Sequence, residues 1–257
     1  MNVHGEIEFL GTGTSTGVPL LGCNCAVCTS VNEKDKRLRA SVIVRIGGKN
    51  ILIDCGPDFR QQMLRASSLK LDLALLTHIH YDHVGGIEDL RPYCYPNHFP
   101  IYAQQNVIDD LMARIPYCFC ENPYPGVPQL TLNVADADHP IEIDGLKIEI
   151  LPIWHYKLLI NGYKIGENIA YITDAKTIDD DVVESIKGID VLVINSLRPT
   201  EHLSHMTLAQ TLEVIERVKP NRAYLIHLGH DMGLHDEVSK MLPKGVYIAY
   251  DKQIVKF

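Results

Sequence analysis

Long apolar runs are missing from this sequence of 257 residues. The longest uninterrupted one is residues 246–250, and a helix that crosses a bilayer needs about 20 such residues. A basic surface is missing as well. Lys and Arg number 24 against 32 Asp and Glu, a net charge of −8, and no stretch gathers the basic side chains into a stripe. Nucleic-acid backbones are held mainly by such side chains, so a nucleic-acid partner is not expected. The first eight residues lack a basic segment and carry Glu6 and Glu8 where a secretion signal is apolar, so a cytoplasmic protein is expected. Leu20-Leu-Gly-Cys23 resembles a lipoprotein cleavage box, but the Gly- and Thr-rich residues 11–17 before it are no apolar leader. Seven cysteines, an odd number, fit a reducing compartment better than a disulfide framework. Repeats and linker-like stretches are absent too, and the expectation is one domain over residues 1–257.

What is present reads as strands first, then strands alternating with helices. Residues 6–10, 41–46 and 50–54 read as strands, the last two joined at Gly47-Gly48. Residues 58–65, 106–115 and 207–218 read as helices. In the last, Leu208, Leu212 and Ile215 share one face, and Thr207 with Gln210 forms a capping-box pattern. Short apolar runs at 71–76, 130–134, 141–143, 146–151, 169–173, 190–195 and 223–227 read as further strands, with a closing pair at 247–250 and 253–257. Such a mixture suggests an α/β layer architecture with helices packed outside sheets.

The chemistry concentrates in Thr77-His78-Ile79-His80-Tyr81-Asp82-His83-Val84-Gly85-Gly86. Three histidines and an aspartate fall in six residues directly after an apolar strand. Imidazole and carboxylate suit divalent first-row metals, and composition alone rarely produces this grouping in a solvated loop. In an extended loop His78 and His80 can point at one ion, and Asp82 and His83, at the turn into a helix, at a second. Three more strand ends carry such a residue: His155, Asp174 and His227. Alone, each reads as an ordinary polar strand end. Together they bring the set to seven nitrogen and oxygen ligands, close to what two ions need.

This pattern resembles the metallo-β-lactamase superfamily, whose His-x-His-x-Asp-His motif stands intact at His78, His80, Asp82 and His83. The resemblance covers nearly the whole chain. It implies an α/β fold of the αββα type, two mixed sheets flanked by helices, with a dinuclear centre at the strand ends. It further implies that His78, His80 and His155 hold one metal, zinc or manganese, and Asp82, His83 and His227 the other. Asp174 would bridge them, and Asp54 would orient the ligands from behind.

Gly22-Cys23-Asn-Cys25-Ala-Val-Cys28 is similar to the cysteine motif of the phosphoribosyl cyclic phosphate phosphodiesterases of the carbon–phosphorus lyase pathway. There, three thiolates and a histidine hold a structural zinc, which implies the set Cys23, Cys25, Cys28 and His230 here. Cys₃His is a closed tetrahedral set, and thiolates select zinc over harder ions. A looser relative, the branch that serves pyrroloquinoline quinone synthesis, shares a similar motif. The same resemblance aligns His205 with the proton donor of the phosphodiesterases and gives His205 and Asp82 catalytic roles. His205 stands two residues before a helix start, where backbone N–H groups favour an anion, and Arg198 is a candidate phosphate ligand. Residues 11–17 lack the Lys of a phosphate loop and read as a turn. Cys94, Cys118 and Cys120 read as free thiols rather than as a metal set with His98.

Two dications against Asp82 and Asp174 leave a surplus of positive charge, so the centre attracts an anion despite the acidic chain. The expected activity is hydrolysis of a small or cyclic phosphodiester by a hydroxide bridging two metals, with His205 protonating the leaving oxygen. A tRNA 3′-processing endonuclease shares the ligands but needs a basic Gly/Pro-rich arm, which this sequence lacks. Thioester or lactam hydrolysis does not explain the His205 segment. A non-catalytic metal-binding module would be marked by a lost ligand, and none is missing. The expected partner is a small anionic phosphodiester, and a homodimer is compatible with the sequence.

Overall fold

The computed structural model describes residues 4–257. The first half holds β1 (Gly5–Gly11), β2 (Ser41–Ile46), β3 (Lys49–Ile53), β4 (Leu73–Leu75), β5 (Phe99–Ala103) and β6 (Leu130–Val134). The second holds β7 (Ile141–Ile143), β8 (Leu146–His155), β9 (Leu158–Ile165), β10 (Ile169–Ile172), β11 (Val191–Asn195), β12 (Arg222–Ile226), β13 (Val246–Ile248) and β14 (Ile254–Lys256). Among the described residues these strands form two seven-stranded sheets, ordered β14-β1-β2-β3-β4-β5-β6 and β13-β12-β11-β10-β9-β8-β7. Both are mixed. Pairing is antiparallel from β14 to β3 and from β7 to β10, and parallel from β3 to β6 and from β10 to β13.

Side-chain alternation decides the layers. In β11, Val191 and Val193 face the other sheet, while Leu192 and Ile194 face outward under helices. In β10, Ile169 and Tyr171 face inward, and Ala170 and Ile172 outward. Both faces are apolar, so both sheets need cover on both sides. The cover for the first sheet is α1 (Phe59–Met63) and α3 (Gln105–Arg114), with the short α2 (Tyr81–Val84) between them in the chain. The second sheet is covered by α4 (Asp180–Ser185), α5 (Leu208–Val218) and α6 (His235–Met241) through Val183, Val214, Val218 and Val238. This is the expected αββα sandwich. Each fully buried Ile or Leu contributes about 1.5–3 kcal/mol, and all seven cysteines are free. The capping box of α5 forms as read, with Thr207 and Gln210 each accepting from the other's backbone N–H. No helix among the described residues is long and apolar enough to cross a membrane.

Four elements depart from the sequence reading, which assigns nothing to β5, β9, α4 or α6. In β9, Asn161-Gly162 looks like a turn but lies inside the strand. Asn161 donates to Thr77 and Ala135 carbonyls, and a Cβ on Gly162 would stand 3.2 Å from Ile153 and the Tyr171 carbonyl. β8 also runs past Leu151, through Pro152, to His155. Its partner β7 reaches only to Ile148. Pro152 therefore lies on a free edge where its missing N–H removes no ladder bond.

Candidate active site

Strand direction places the predicted ligands together. Asp54 follows β3, His78 and His80 follow β4, His155 ends β8, Asp174 lies two residues past β10, and His227 follows β12. Asp54, Asp174 and His227 all take left-handed backbone angles, with φ of 62°, 55° and 54°. Such non-glycine positions cost on the order of 1–3 kcal/mol each and persist where the surroundings impose them. Here they turn three side chains toward one centre. Gly56 and Gly86 close the packing behind it. A Cβ on Gly56 would come within 2.0 Å of the Asp82 carbonyl, and one on Gly86 within 2.1 Å of the Gly56 carbonyl.

Hydrogen bonds to Nδ1 settle which nitrogen three histidines present. His83 Nδ1 lies 2.7 Å from Asp54 Oδ2, and His155 Nδ1 lies 2.9 Å from the Ser204 carbonyl. Both partners can only accept, so each Nδ1 carries the proton. Thr77 Oγ1 donates to Asp54 and stands 3.0 Å from His78 Nδ1, which therefore donates to it. Asp54 thus orients His83 directly and His78 through Thr77. All three rings turn Nε2 toward the centre, where that of His78 stands 2.9 Å from His80 Nδ1. Sequence reading passed over Thr77 and Ser204. Thr77 stands beside His78 in the motif, but a backbone carbonyl such as that of Ser204 has no signature in side chains.

The free donors converge in groups. His78, His80 and His155 offer atoms within 4.8 Å of one another, as do Asp82, His83 and His227. Asp174 joins both neighbourhoods, grouping with His78 and His83 and again with His155 and His205. His83 Nε2 lies 3.1 Å from Asp82 and 3.3 Å from Asp174, and His227 Nε2 lies 3.2 Å from Asp174. Asp54, Asp82 and Asp174 are buried, and histidines are their ionic partners. Burial works to raise the Asp82 and Asp174 carboxyls, but the surrounding imidazoles hold both well below the usual carboxylate range. Burial likewise works to lower His83, yet its three carboxylates push it well up. The site asks for positive charge. His83 Nε2 and both nitrogens of His227 are buried without a hydrogen-bond partner, an arrangement that costs free energy unless a cation fills it. The residues fit divalent metal.

His205 closes a third side. The loop carrying it leaves at Leu197 and returns at Met206, where Leu197 N–H donates to the Met206 carbonyl and Met206 N–H to that of Ala175. Its imidazole is buried and pushed down to about 3 by that burial and by His227. The N–H groups at the start of α5 do not favour an anion as expected. Leu208 donates to Arg198, Gln210 to Thr207 Oγ1, and Thr211 to the Thr207 carbonyl. Arg198 donates to the Thr200 and Glu201 carbonyls and lies 3.8 Å from Asp231, beside His230. Its hydrogen bonds stay within its own loop.

A second cluster lies apart from the first. Cys23, Cys25, Cys28 and His230 offer four atoms within 4.8 Å of one another, with His230 Nδ1 at 3.5 Å from Cys23 and 3.4 Å from Cys25. The hydrogen bond from His230 is the main cause that lowers the Cys25 thiol to about 6. Cys94, Cys118, Cys120 and His98 form no such group among the described residues. The loop over residues 11–17 is the turn expected, with the Gly13, Thr14 and Gly17 N–H groups committed to the carbonyls of Leu38, Leu228 and Thr14.

The sequence profile of the β-lactamase superfamily domain matches residues 49–228, well over half the chain. The chain belongs to that superfamily. Its fold is the metallo-β-lactamase fold. It is 36% identical to a crystallised diphosphatase from the PhnP family, with a TM-score of 0.92 over 99% of this chain and 97% of that one. The Zn²⁺-bound PqqB of Methylobacterium extorquens shares the fold, with a TM-score of 0.81, 17% identity and coverage of 97% and 99%. An octanoyltransferase of Porphyromonas gingivalis is 47% identical over 95% of this chain. This superfamily member spans 50% of the length of that relative.

Proposed function

We propose that this protein is a metal-dependent phosphodiesterase acting on a small or cyclic phosphodiester. The observation that carries the reading is Asp174, which joins two three-residue donor groups while His205 stands 3.7 Å from it. Two divalent ions, zinc or manganese, held by His78, His80 and His155 and by Asp82, His83 and His227, would supply Lewis-acid charge and acidify a water toward neutral pH. The chain's own residues do the rest. Asp54 and Thr77 keep the imidazoles in the productive tautomer, and Asp82 orients the attacking water as well as binding metal. His205 carries the proton for the leaving oxygen once the phosphate's negative charge beside it offsets the burial and the His227 ring that lower it, and Arg198 is a substrate contact only if its loop rearranges. The Cys23, Cys25, Cys28 and His230 set would hold one structural zinc.

Cleavage of a diphosphate is the second reading, favoured by the 36%-identical PhnP-family diphosphatase. Where the attacked phosphorus of a diphosphate is also esterified, it carries two bridging oxygens as in a phosphodiester, so one centre serves either. A tRNA-processing role has less support, because the net charge of −8 comes with no basic arm. Octanoyl transfer has less still. The three clustered cysteines face His230, and burial pushes the Cys55 thiol well up, away from a reactive thiolate.

The test is hydrolysis of bis-p-nitrophenyl phosphate against p-nitrophenyl phosphate in protein loaded with zinc or manganese. The diester should turn over faster, and Asp174→Ala should lose about 10³-fold or more, since a metal centre supplies several kcal/mol. A preference for the monoester, or full activity in Asp174→Ala, would overturn the proposal.

A further inference from the structure

Beside the centre, β8 and β9 are joined by only two residues, Tyr156 and Lys157, with His155 paired to Leu158 across the turn. Tyr156 has a φ of 56°. Glycine or asparagine takes that conformation with little strain, and a bulky aromatic there is an outlier of the kind that collects at functional sites. Burial offers little in exchange, since the residue stays 47% exposed. The turn borders a groove of about 490 Å³ that opens onto His80 and His155, with Leu203 and Ser204 on its other wall. Leu203 is 66% exposed, an apolar side chain left in solvent at the rim. Lys157 Nζ lies 5.3 Å from the centre of the Tyr156 ring and so sets a positive charge beside an aromatic face.

We infer that Tyr156 and Lys157 form a specificity subsite that stacks a planar apolar group of the substrate and meets a further negative charge on it. The chemical class is nucleotide-like, a base on one ester arm of the phosphodiester. The inference rests on the proposed phosphodiesterase reading for its substrate, while the subsite itself can be read by binding alone. Stacking on an aromatic side chain tolerates any base, so the subsite selects for a base and not for its identity.

Two measurements on metal-loaded protein test it. In calorimetry, adenosine 5′-monophosphate should bind about tenfold tighter than ribose 5-phosphate, and Tyr156→Ala should shrink that ratio to about twofold or less. Tyr156→Phe keeps the aromatic face and should restore it. Lys157→Gln should weaken adenosine 5′-diphosphate about fivefold more than the monophosphate. In turnover, the kcat/KM ratio of thymidine 5′-(p-nitrophenyl phosphate) to ethyl p-nitrophenyl phosphate should fall about tenfold in Tyr156→Ala, through KM. Tyr156→Gly relieves the backbone and should melt no lower than wild type while losing the same selectivity. Equal binding of the two monophosphates, or a Tyr156→Ala loss of one factor for both, overturns the subsite. If neither diester is hydrolysed but the base preference in binding holds, the phosphodiesterase reading falls and the subsite stands.

Discussion

His205 Nδ1 lies 3.7 Å from Asp174 Oδ1. The His205 ring centre is also 4.8 Å from those of both His155 and His227. His205 therefore meets the carboxylate shared by both donor groups and one histidine of each. Its Nδ1 is buried and unpartnered, in contrast to the Nδ1 of His78, His83 and His155, each held by an acceptor. Nδ1 is thus the nitrogen of His205 that faces the shared carboxylate, placed to exchange a proton with a substrate oxygen.

Asp54 orients His83 by accepting from Nδ1, so the test is to reverse that bond. In Asp54→Asn an amide N–H can face the His83 N–H, and the ring then gains by moving its proton to Nε2. That places a proton where the metal would bind. Metal affinity, measured by competition with a chelator, should fall about 10- to 100-fold, with little change in melting temperature of the metal-free protein. Unchanged affinity would show that His83 presents Nε2 without help from Asp54.

The side chains of the candidate metal site were legible in the sequence because metal chemistry restricts residue type. His78, His80, Asp82 and His83 could be read from their spacing, and His155, Asp174 and His227 from their positions at strand ends. The Ser204 carbonyl was not legible, since any residue offers one. Nor was the Tyr156 turn. Pro152 and Asn161-Gly162 interrupt the apolar pattern on either side of the turn, so the β8–β9 pair, and with it the turn beside His155, gave no hairpin signal. The fold class survived these misses because the short apolar runs of β10 and β11 and the helical face of α5 are strong local signals. β5 was hidden by Pro100 within it, and its pairing to β4 and β6 is what makes it a strand.

The cysteine cluster fastens the loop over residues 20–28 to the segment after β12. Cys25→Ser removes one of four ligands, so the protein should hold one zinc fewer per chain by elemental analysis. Its melting temperature should drop by about 2–4 °C for each kcal/mol lost. Activity should suffer less than stability, because the cluster shares no residue with the centre. Unchanged zinc content together with unchanged melting would remove the structural-zinc assignment.

Acid should loosen the same region by another route. His235 is buried, and its imidazole is lowered to about 4 by that burial and then by Arg37. Arg37 donates to its Nδ1 at 3.4 Å, so a proton there would face a guanidinium. Unfolded, the ring titrates near its ordinary value of 6.5. Between about pH 6.5 and 4 the unfolded chain therefore binds a proton that the folded chain refuses, and stability falls as pH falls. His235→Gln, which keeps an acceptor for Arg37, should show a shallower loss of melting temperature across that window. Parallel curves for the two proteins would exclude His235 as the source.

The His205 role is tested by how much the leaving oxygen needs a proton. An alkoxide from a sugar is a poor leaving group, and general acid catalysis there contributes typically 10²–10⁴-fold. A p-nitrophenolate departs readily without one. A phosphate leaving from a diphosphate resembles it, with its second ionisation at a pKa of about 6. His205→Ala should therefore slow an alkyl or cyclic ribose diester strongly, and a nitrophenyl diester or a diphosphate only mildly. A uniform loss across all of these would make His205 a residue that positions or binds phosphate, and the proton-donor role would fall.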